Sequence, residues 1–532
     1  MRGLNAVCTS HFNIFNHSEN SFFTPGAQLA NIARVKPDAP AIVYVSPKNI
    51  ESVMTWRTLE TLSNRIAWYL LEQGIGAGKS VIVALPNIPT HIALAFGIWK
   101  TGACYVPISD RVPRRNLLEI CECVSPSLVI TNRWKPTNYF ALSSNELKEL
   151  CKNYSEGMPP DVLAVPNLAN CTGGTTGKTK VVQQDMPAGE SDEGLQTWFT
   201  LSGMRFEMRQ LLAGPLFHGA PHSVAFNGLY CGNTLYMPSC LDAKSIVALI
   251  KRYQIEYVQL VPTLMQRIVK LPNFHPEDLG SLEVLCHTGG VCSADLKREW
   301  FEIISPEKVY EIYSMTECVG ITYIRGDEWL THEGSIGRMP CGSISIRDEE
   351  GHELPIGEIG NIYMSWNGDA PRIKYINVPP LESDENGFKS VGDIGYVDED
   401  GYLAQEDIDS LLELKIPEKL IGKALTVIQG LDPAGVGARS LSECLLLQLT
   451  RKKGSPAARE IAANYLTELG RKHYGAIAQK SGLGLEDVQA AAVEIAALDP
   501  HPGRAFQPEE VTVYVRPDIF VAELEGKLQV IL

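Results

Sequence analysis

The character of the sequence changes once, near residue 400, and no single architecture suits both sides of the change. Before it, apolar strand-like runs such as Val81–Leu85 and Tyr257–Val261 alternate with helical periods, the signature of an α/β fold. After it, Leu441–Leu449, Ala457–Leu469 and Leu485–Leu498 carry apolar residues at spacings of three and four, with Gly or Pro between segments, which predicts short packed helices. Composition shifts at the same place: all 8 tryptophans lie between Trp56 and Trp366, and 12 of the 13 cysteines precede residue 404, leaving Cys444 alone beyond it. Charge does not divide the chain, because residues 404–532 hold 14 basic and 18 acidic side chains, or −4 of the total −15. Two domains are therefore expected, residues 1–403 and residues 404–532. Within the second, Val427–Pro433 and Glu494–Pro500 both run into Asp-Pro, the punctuation of two helix ends, and Val511–Ile531 alternates around Glu525-Gly526 as a terminal hairpin would.

A net charge of −15 argues against proteins whose affinity comes from broad phosphate neutralisation and leaves local basic sites open; no direct DNA binding is expected. The longest charge-free run, Gln210–Leu241, is interrupted by Pro215, Pro221 and Pro238 and carries His218, His222, Asn227 and Asn233; it does not read as a membrane span. Met1–Asn20 lacks an apolar stretch followed by a small-residue cleavage site, and the odd number of cysteines includes no C-x-x-C pair. These features predict a reduced, cytoplasmic protein.

The segment richest in chemistry is Cys171-Thr-Gly-Gly-Thr-Thr-Gly-Lys-Thr-Lys180. Glycines let backbone amides converge on an anion, threonine hydroxyls add neutral donors, and lysines add charge, a set suited to a triphosphate. A P-loop would need glycine at position 172, where Thr172 stands. Alone, the segment also fits a flexible surface loop. It is followed by His287-Thr-Gly-Gly290, Tyr310-Glu-Ile-Tyr-Ser-Met-Thr-Glu317 and Val391-Gly-Asp-Ile-Gly-Tyr-Val-Asp-Glu-Asp-Gly-Tyr-Leu403.

In combination and order, these four motifs resemble the adenylate-forming superfamily of acyl-CoA ligases, nonribosomal adenylation domains and luciferases, over about the first 400 residues. Thr179 stands where that family usually has proline. The resemblance implies that ATP, with magnesium, is held by Thr172, Gly173, Gly174, Thr175, Thr176, Gly177, Lys178 and Lys180 around its phosphates, with Thr175 and Thr176 as hydroxyl donors. It implies further that Gly289 and Gly290 lie against the adenine, that Tyr313 stacks on it, and that Thr316 touches the α-phosphate. Glu317 would hold magnesium and Asp393 the ribose hydroxyls, roles that suit a hard cation and a diol. Catalysis would fall to Thr176, Lys180, Glu317 and His218, the last as a gate beside the acyl pocket, whereas His222 reads as a structural histidine. Gly219, Ala220, Cys318 and Gly320 would leave that pocket roomy. The stretches Gly214–His222, Leu285–Cys292 and Tyr313–Cys318 look most like bacterial bile-acid-CoA ligases, which implies a carboxylic acid of steroid type, activated as an adenylate and passed to coenzyme A.

After Leu403 this resemblance stops: the family's hinge, its Gly-Gly loop and its late catalytic lysine do not follow, and Lys527 sits in an alternating strand that matches none of them. Instead Val427–Leu449, Leu498–Phe506 and Tyr514–Val521 closely resemble the core-binding region of bacterial sigma-54 factors, which implies docking on core RNA polymerase without promoter reading. The two resemblances meet at Asp398-Glu-Asp-Gly-Tyr-Leu403. The chain thus reads as a chimaera: the large α/β domain of an adenylate-forming enzyme joined to a mainly α-helical core-binding domain.

Overall fold

Val81, Ile82, Val83 and Ala84 are all buried, a pattern that only a strand covered on both faces sustains. In the computed structural model this run is Ser80–Ala84, an inner strand of a seven-stranded sheet. Described are residues 22–173, 179–367, 373–405, 425–438, 440–452, 454–470, 473–500, 502, 520–524 and 527–531. The chain divides into two compact units, Met1–Asp407 and Ile408–Leu532.

The first unit is built on two large, mainly parallel sheets. One has eight strands in the order Ile321–Arg325, Val309–Ser314, Val284–His287, Tyr257–Leu260, Arg209–Leu211, Thr234–Pro238, Pro40–Val45 and Glu51–Thr55; the six inner strands are parallel and the two edges antiparallel. The other has seven, in the order Ile373–Tyr375, Thr179–Gln184, Leu168–Gly173, Cys104–Pro107, Ser80–Ala84, Leu128–Thr131 and Ala141–Leu142. Alternation along the strands decides what each face buries. Val81, Val83, Tyr105, Leu128 and Ile130 share one core with Ile42, Leu235, Tyr257 and Val284 of the other sheet, and the helices Trp56–Glu72, Pro89–Trp99 and Gly219–Tyr230 fill the space between. Ile82, Ala84 and Val129 face outward to the helix Arg114–Val124, while Val258 and Leu285 face the helices Ala243–Tyr253, Pro262–Val269 and Ala294–Phe301. The result is a five-layered α/β sandwich.

A third, antiparallel sheet of five strands follows in the order Ser335–Gly337, Leu403–Gln405, Lys389–Val397, Gly360–Trp366 and Gly342–Arg347. The strand Lys389–Val397, which carries Asp393, is therefore an inner strand of the first unit.

The second unit is helical, as its spacing predicts. Leu441–Arg451, Pro456–Asn464, Leu466–Gly470, Tyr474–Ser481 and Leu485–Ala496 surround a core of Leu445, Leu449, Ala458, Ile461, Ala462, Ile477, Val488, Ala491, Ile495 and Leu498. Ser440 caps the first of these helices, accepting from the Glu443 N–H, and Ser455 caps the second, accepting from the Ala458 N–H. The strands Phe520–Leu524 and Lys527–Ile531 pair antiparallel on either side of Glu525-Gly526.

Candidate nucleotide and acyl site

Parallel strands deliver their carboxyl ends to one edge of a sheet, and an open α/β sheet binds ligands outside that edge. Here Tyr257–Leu260 and Val284–His287 end side by side, with Leu260 paired to His287. Beyond them Val261, Gly289, Gly290 and Val291 are exposed, so the chain forms a ledge of bare backbone. Gly289 has φ +79°, a left-handed conformation that favours glycine. The next strand brings Tyr313, whose hydroxyl donates to Asp393 over 2.5 Å. Burial and the Asp393 carboxylate both push the Tyr313 phenol up, so it stays a neutral donor. The residues expected around adenine and ribose, Gly289, Gly290, Tyr313 and Asp393, are thus brought together, with Tyr313 and Asp393 linking two sheets.

Thr316 and Glu317 lie in the turn between Val309–Ser314 and Ile321–Arg325 and are half-buried. The turn is held from several sides: Cys318 N–H donates to Met315 O over 2.9 Å, Trp366 Nε1 donates to Cys318 O over 2.8 Å, and Ser314 Oγ donates to Gly320 O over 2.8 Å. Glu317 Oε1 accepts from the Tyr375 hydroxyl over 2.8 Å. Tyr375 belongs to the seven-stranded sheet, where it pairs with Val182 in the strand that also contains Lys180. That hydrogen bond ties the Glu317 turn to the sheet of the glycine-rich loop. Sequence reading missed Tyr375, which stands in no motif; only the spatial meeting of the two sheets identifies it.

Cys171, Thr172 and Gly173 continue one strand and Thr179–Gln184 returns antiparallel beside it, with Thr172 opposite Lys180 and Gly173 opposite Thr179. Gly174, Thr175, Thr176, Gly177 and Lys178 lie outside the described residues. Lys180 is half-buried on the returning strand.

His218 is the N-cap of the helix Gly219–Tyr230, solvent-exposed beside the Phe217 ring at 4.5 Å, and partial desolvation lowers its pKa. His222, one turn on, is buried among Tyr105, Phe226 and Trp99 at ring distances of 5.7, 4.6 and 5.9 Å, and burial pushes its pKa down to about 3. Gly320 does not open the acyl pocket as its size suggests: a Cβ there would collide with Met364, so the glycine serves close packing. At Gly219 the nearest atom a Cβ would meet is Asn170 Nδ2 at 3.8 Å.

Among the described residues no three His, Cys, Asp or Glu converge as metal ligands. Glu317 thus belongs to no cluster of three such ligands among the described residues, which fits magnesium held mainly by substrate phosphates and water rather than by a protein cage. No helix of the described residues is long and apolar enough to cross a membrane.

The family description of AMP-binding enzymes matches residues 29–370, and that of the sigma-54 factor core binding domain matches residues 382–532. The long-chain-fatty-acid–CoA ligase FadD13 of Mycobacterium tuberculosis is 24% identical over 472 residues, covering 82% of this chain and 88% of the ligase. A Rhodococcus jostii ligase for a 7a-methyl-1,5-dioxo-octahydro-indenyl propanoic acid is 24% identical over 395 residues, covering 66% of this chain and 73% of that enzyme. The RNA polymerase sigma-54 factor of Bacillus subtilis is 34% identical over 133 residues, 25% of this chain and 30% of that factor. In three dimensions, o-succinylbenzoate CoA synthetase of Bacillus subtilis in complex with its acyl-adenylate superposes with a TM-score of 0.62 at 21% identity, covering 73% of this chain and 78% of the synthetase. The isolated N-terminal domain of FACL13 from Mycobacterium tuberculosis gives 0.60 at 23% identity, covering 72% of this chain and all of that domain. The expected fold class stands on both sides of the joint, and the chain belongs to the AMP-binding enzyme family, with a sigma-54 core-binding region following the enzyme-like part.

Proposed function

We propose that the first unit activates a carboxylic acid with ATP, forming an acyl adenylate for transfer to coenzyme A. The observation that supports this reading is the pair of bridges at the strand ends, Tyr313 to Asp393 and Glu317 to Tyr375, which joins the residues expected to meet base, ribose and phosphate. Asp393 accepts from the ribose hydroxyls, Tyr313 offers its ring to the adenine above the Gly289-Gly290 ledge, and Thr316 donates to the α-phosphate. Glu317 would hold magnesium, which would supply charge neutralisation to the phosphates. Thr175, Thr176, Lys178 and Lys180 hold the β- and γ-phosphates, and cations placed where charge develops are what such a displacement needs. His218 gates the acid's entry at the start of its helix.

The acid we assign is bulky and polycyclic, a bile acid or a related steroid acid. The motif likeness supports this, as does the fused-ring dione acid in the name of the Rhodococcus relative. Residues 404–532 supply no lysine in the family's catalytic setting, so turnover is expected to be slow, on the order of hundreds-fold below an intact ligase. The test is titration with magnesium-ATP of the full chain and of its Glu317→Ala and Thr176→Val variants. Saturable binding, weakened at least about tenfold in both, is expected; absence of binding to the unaltered chain overturns the reading.

A second reading concerns the second unit, which we infer docks on core RNA polymerase. The match over residues 382–532 favours it. Purified core polymerase should co-elute with the full chain, and failure to do so at micromolar concentration would refute this role.

A further inference from the structure

A buried side-chain amide without partners is uncommon, because removing it from water without a hydrogen bond is costly. Asn170 is 2% exposed, and neither its Nδ2 nor its Oδ1 has a hydrogen-bond partner. It lies on the strand Leu168–Gly173, two residues before Thr172, and on the same face as Leu168, which is paired with Tyr105. Across from it the helix Gly219–Tyr230 begins at His218 with no side-chain cap, and Gly219 leaves open the side facing the Asn170 amide. Three residues along, on the same helical face, stands His222, 6% exposed, with Nδ1 also lacking a partner. Its ring stacks on Tyr105, whose hydroxyl is already engaged by His91 Nε2 at 2.6 Å. Asn170 and His222 are thus two unpartnered polar groups in a largely aromatic interior, one on the strand Leu168–Gly173 and the other on the helix Gly219–Tyr230.

We propose that Asn170 and His222 form a specificity site for a neutral oxygen, a hydroxyl or keto group, carried on the hydrocarbon frame of the acid. The inference rests on the acid-activating reading and narrows its substrate. An amide donates and accepts, and an uncharged imidazole does one or the other at Nδ1, so a hydroxyl can satisfy both residues and a ketone can accept from both. A carboxylate or phosphate would be matched less well, since neither an amide nor an uncharged imidazole supplies a compensating charge. The rings of Trp99, Tyr105 and Phe226 pack around His222, so the polar atoms of the pair stand out against an apolar setting.

The test compares cholate, which has ring hydroxyls, with 5β-cholanate, which has none, and 12-hydroxydodecanoate with dodecanoate, titrated into the full chain by calorimetry. Each acid is measured with and without magnesium and α,β-methylene-ATP, so loss of nucleotide binding and loss of acid preference are read separately. The unaltered chain should bind the hydroxylated member of at least one pair about tenfold more tightly, the scale of one neutral hydrogen bond in a buried site. In Asn170→Leu and in His222→Phe the preference should collapse to near parity while nucleotide binding is unchanged. Asn170→Leu should also melt no lower than the unaltered chain, because it removes an unpartnered group. Equal binding of both members of both pairs, no binding of any acid, or a preference surviving both substitutions overturns the proposal. So does a lowered melting point with the preference intact, which would assign Asn170 to a water-held structural network.

Discussion

The two units bury side chains of different kinds. The largest core of the first unit holds Trp56, Trp99, Tyr105, Phe96 and Phe226 between two sheets, whereas the buried core of the second consists of Leu, Ile, Val and Ala alone. Large rings locked between sheets fix strand ends to within fractions of an ångström, and those ends position Gly289, Tyr313 and Glu317. Small residues such as Ala458, Ala462 and Ala491 instead let short helices approach closely while leaving Val427, Leu431, Leu441 and Val493 more than half exposed. The two units thus differ in what fills their cores, interlocking rings in one and small aliphatic side chains in the other.

The sharpest way to break this comparison is through the buried charges, which the described residues show only in the first unit. Lys297 donates to Glu311 over 2.5 Å with both side chains buried, and His287 Nδ1 lies 3.9 Å from Glu311, directly beneath the Gly289 ledge. Lys297→Met should destabilise the first unit by about 3–5 kcal/mol, because it strands a buried carboxylate, whereas Lys297→Met with Glu311→Leu should be close to neutral. Urea unfolding followed by tryptophan fluorescence reads only the first unit, since every tryptophan lies before residue 367. A double variant as unstable as the single one would show that the pair, not its imbalance, supports the ledge.

The second unit should respond to a cavity instead. Ile461→Ala in its wholly buried centre should cost about 2–5 kcal/mol of helical stability, visible by circular dichroism at 222 nm, and leave tryptophan fluorescence and magnesium-ATP binding unchanged. A shift in both signals would mean that the units do not unfold separately.

Acid should distinguish the units by which of them loses stability. Burial pushes His91 to about 4, His222 to about 3 and His287 to about 4, against about 6.5 in the unfolded chain. Their folded pKa values are depressed, so below pH 6.5 the unfolded chain binds protons that the folded chain refuses. The first unit therefore loses stability as pH falls from about 6.5 to 4, by up to about 1.4 kcal/mol per pH unit for each histidine. In the second unit His473 is exposed, and no histidine is buried among its described residues. His222→Phe should lower the proton uptake of the first unit on acid unfolding by about one, and the circular dichroism transition of the second should not share that dependence.

The α/β character was legible because strands covered on both faces read as unbroken apolar runs: Val81–Leu85 and Tyr257–Val261 appear as Ser80–Ala84 and Tyr257–Leu260. The helical tail was legible from its spacing, but Ala457–Leu469 is two helices, Pro456–Asn464 and Leu466–Gly470, broken at Tyr465 with φ −131°. Neither Gly nor Pro marks that break, so it arises from packing that local sequence does not encode. Likewise, residue size suggested that Gly320 widens a pocket, whereas its contact with Met364 from a strand 40 residues on is tertiary. The site residues fall at strand ends and turns, where motifs show them, but what connects them does not. Asn170 looks like one polar residue in a strand, and nothing in the sequence says that its face is the buried one.

Tyr375 is the smallest effect and the most specific. Its hydroxyl donates to Glu317, and burial with that carboxylate raises its pKa, so it remains a neutral phenol across the physiological range. Tyr375→Phe removes one hydrogen bond to a charged acceptor while keeping the ring, a loss of about 1.5–3 kcal/mol if the bond only held the turn. If Glu317 instead turns to magnesium when nucleotide enters, the bond is surrendered on binding, and its removal should leave magnesium-ATP affinity unchanged or slightly stronger. Measured stability should then fall in the free protein and recover with nucleotide. Weaker binding in Tyr375→Phe would show that the bond persists in the complex and that Tyr375 orients the carboxylate rather than restraining it, which makes the link between the sheets part of the site itself.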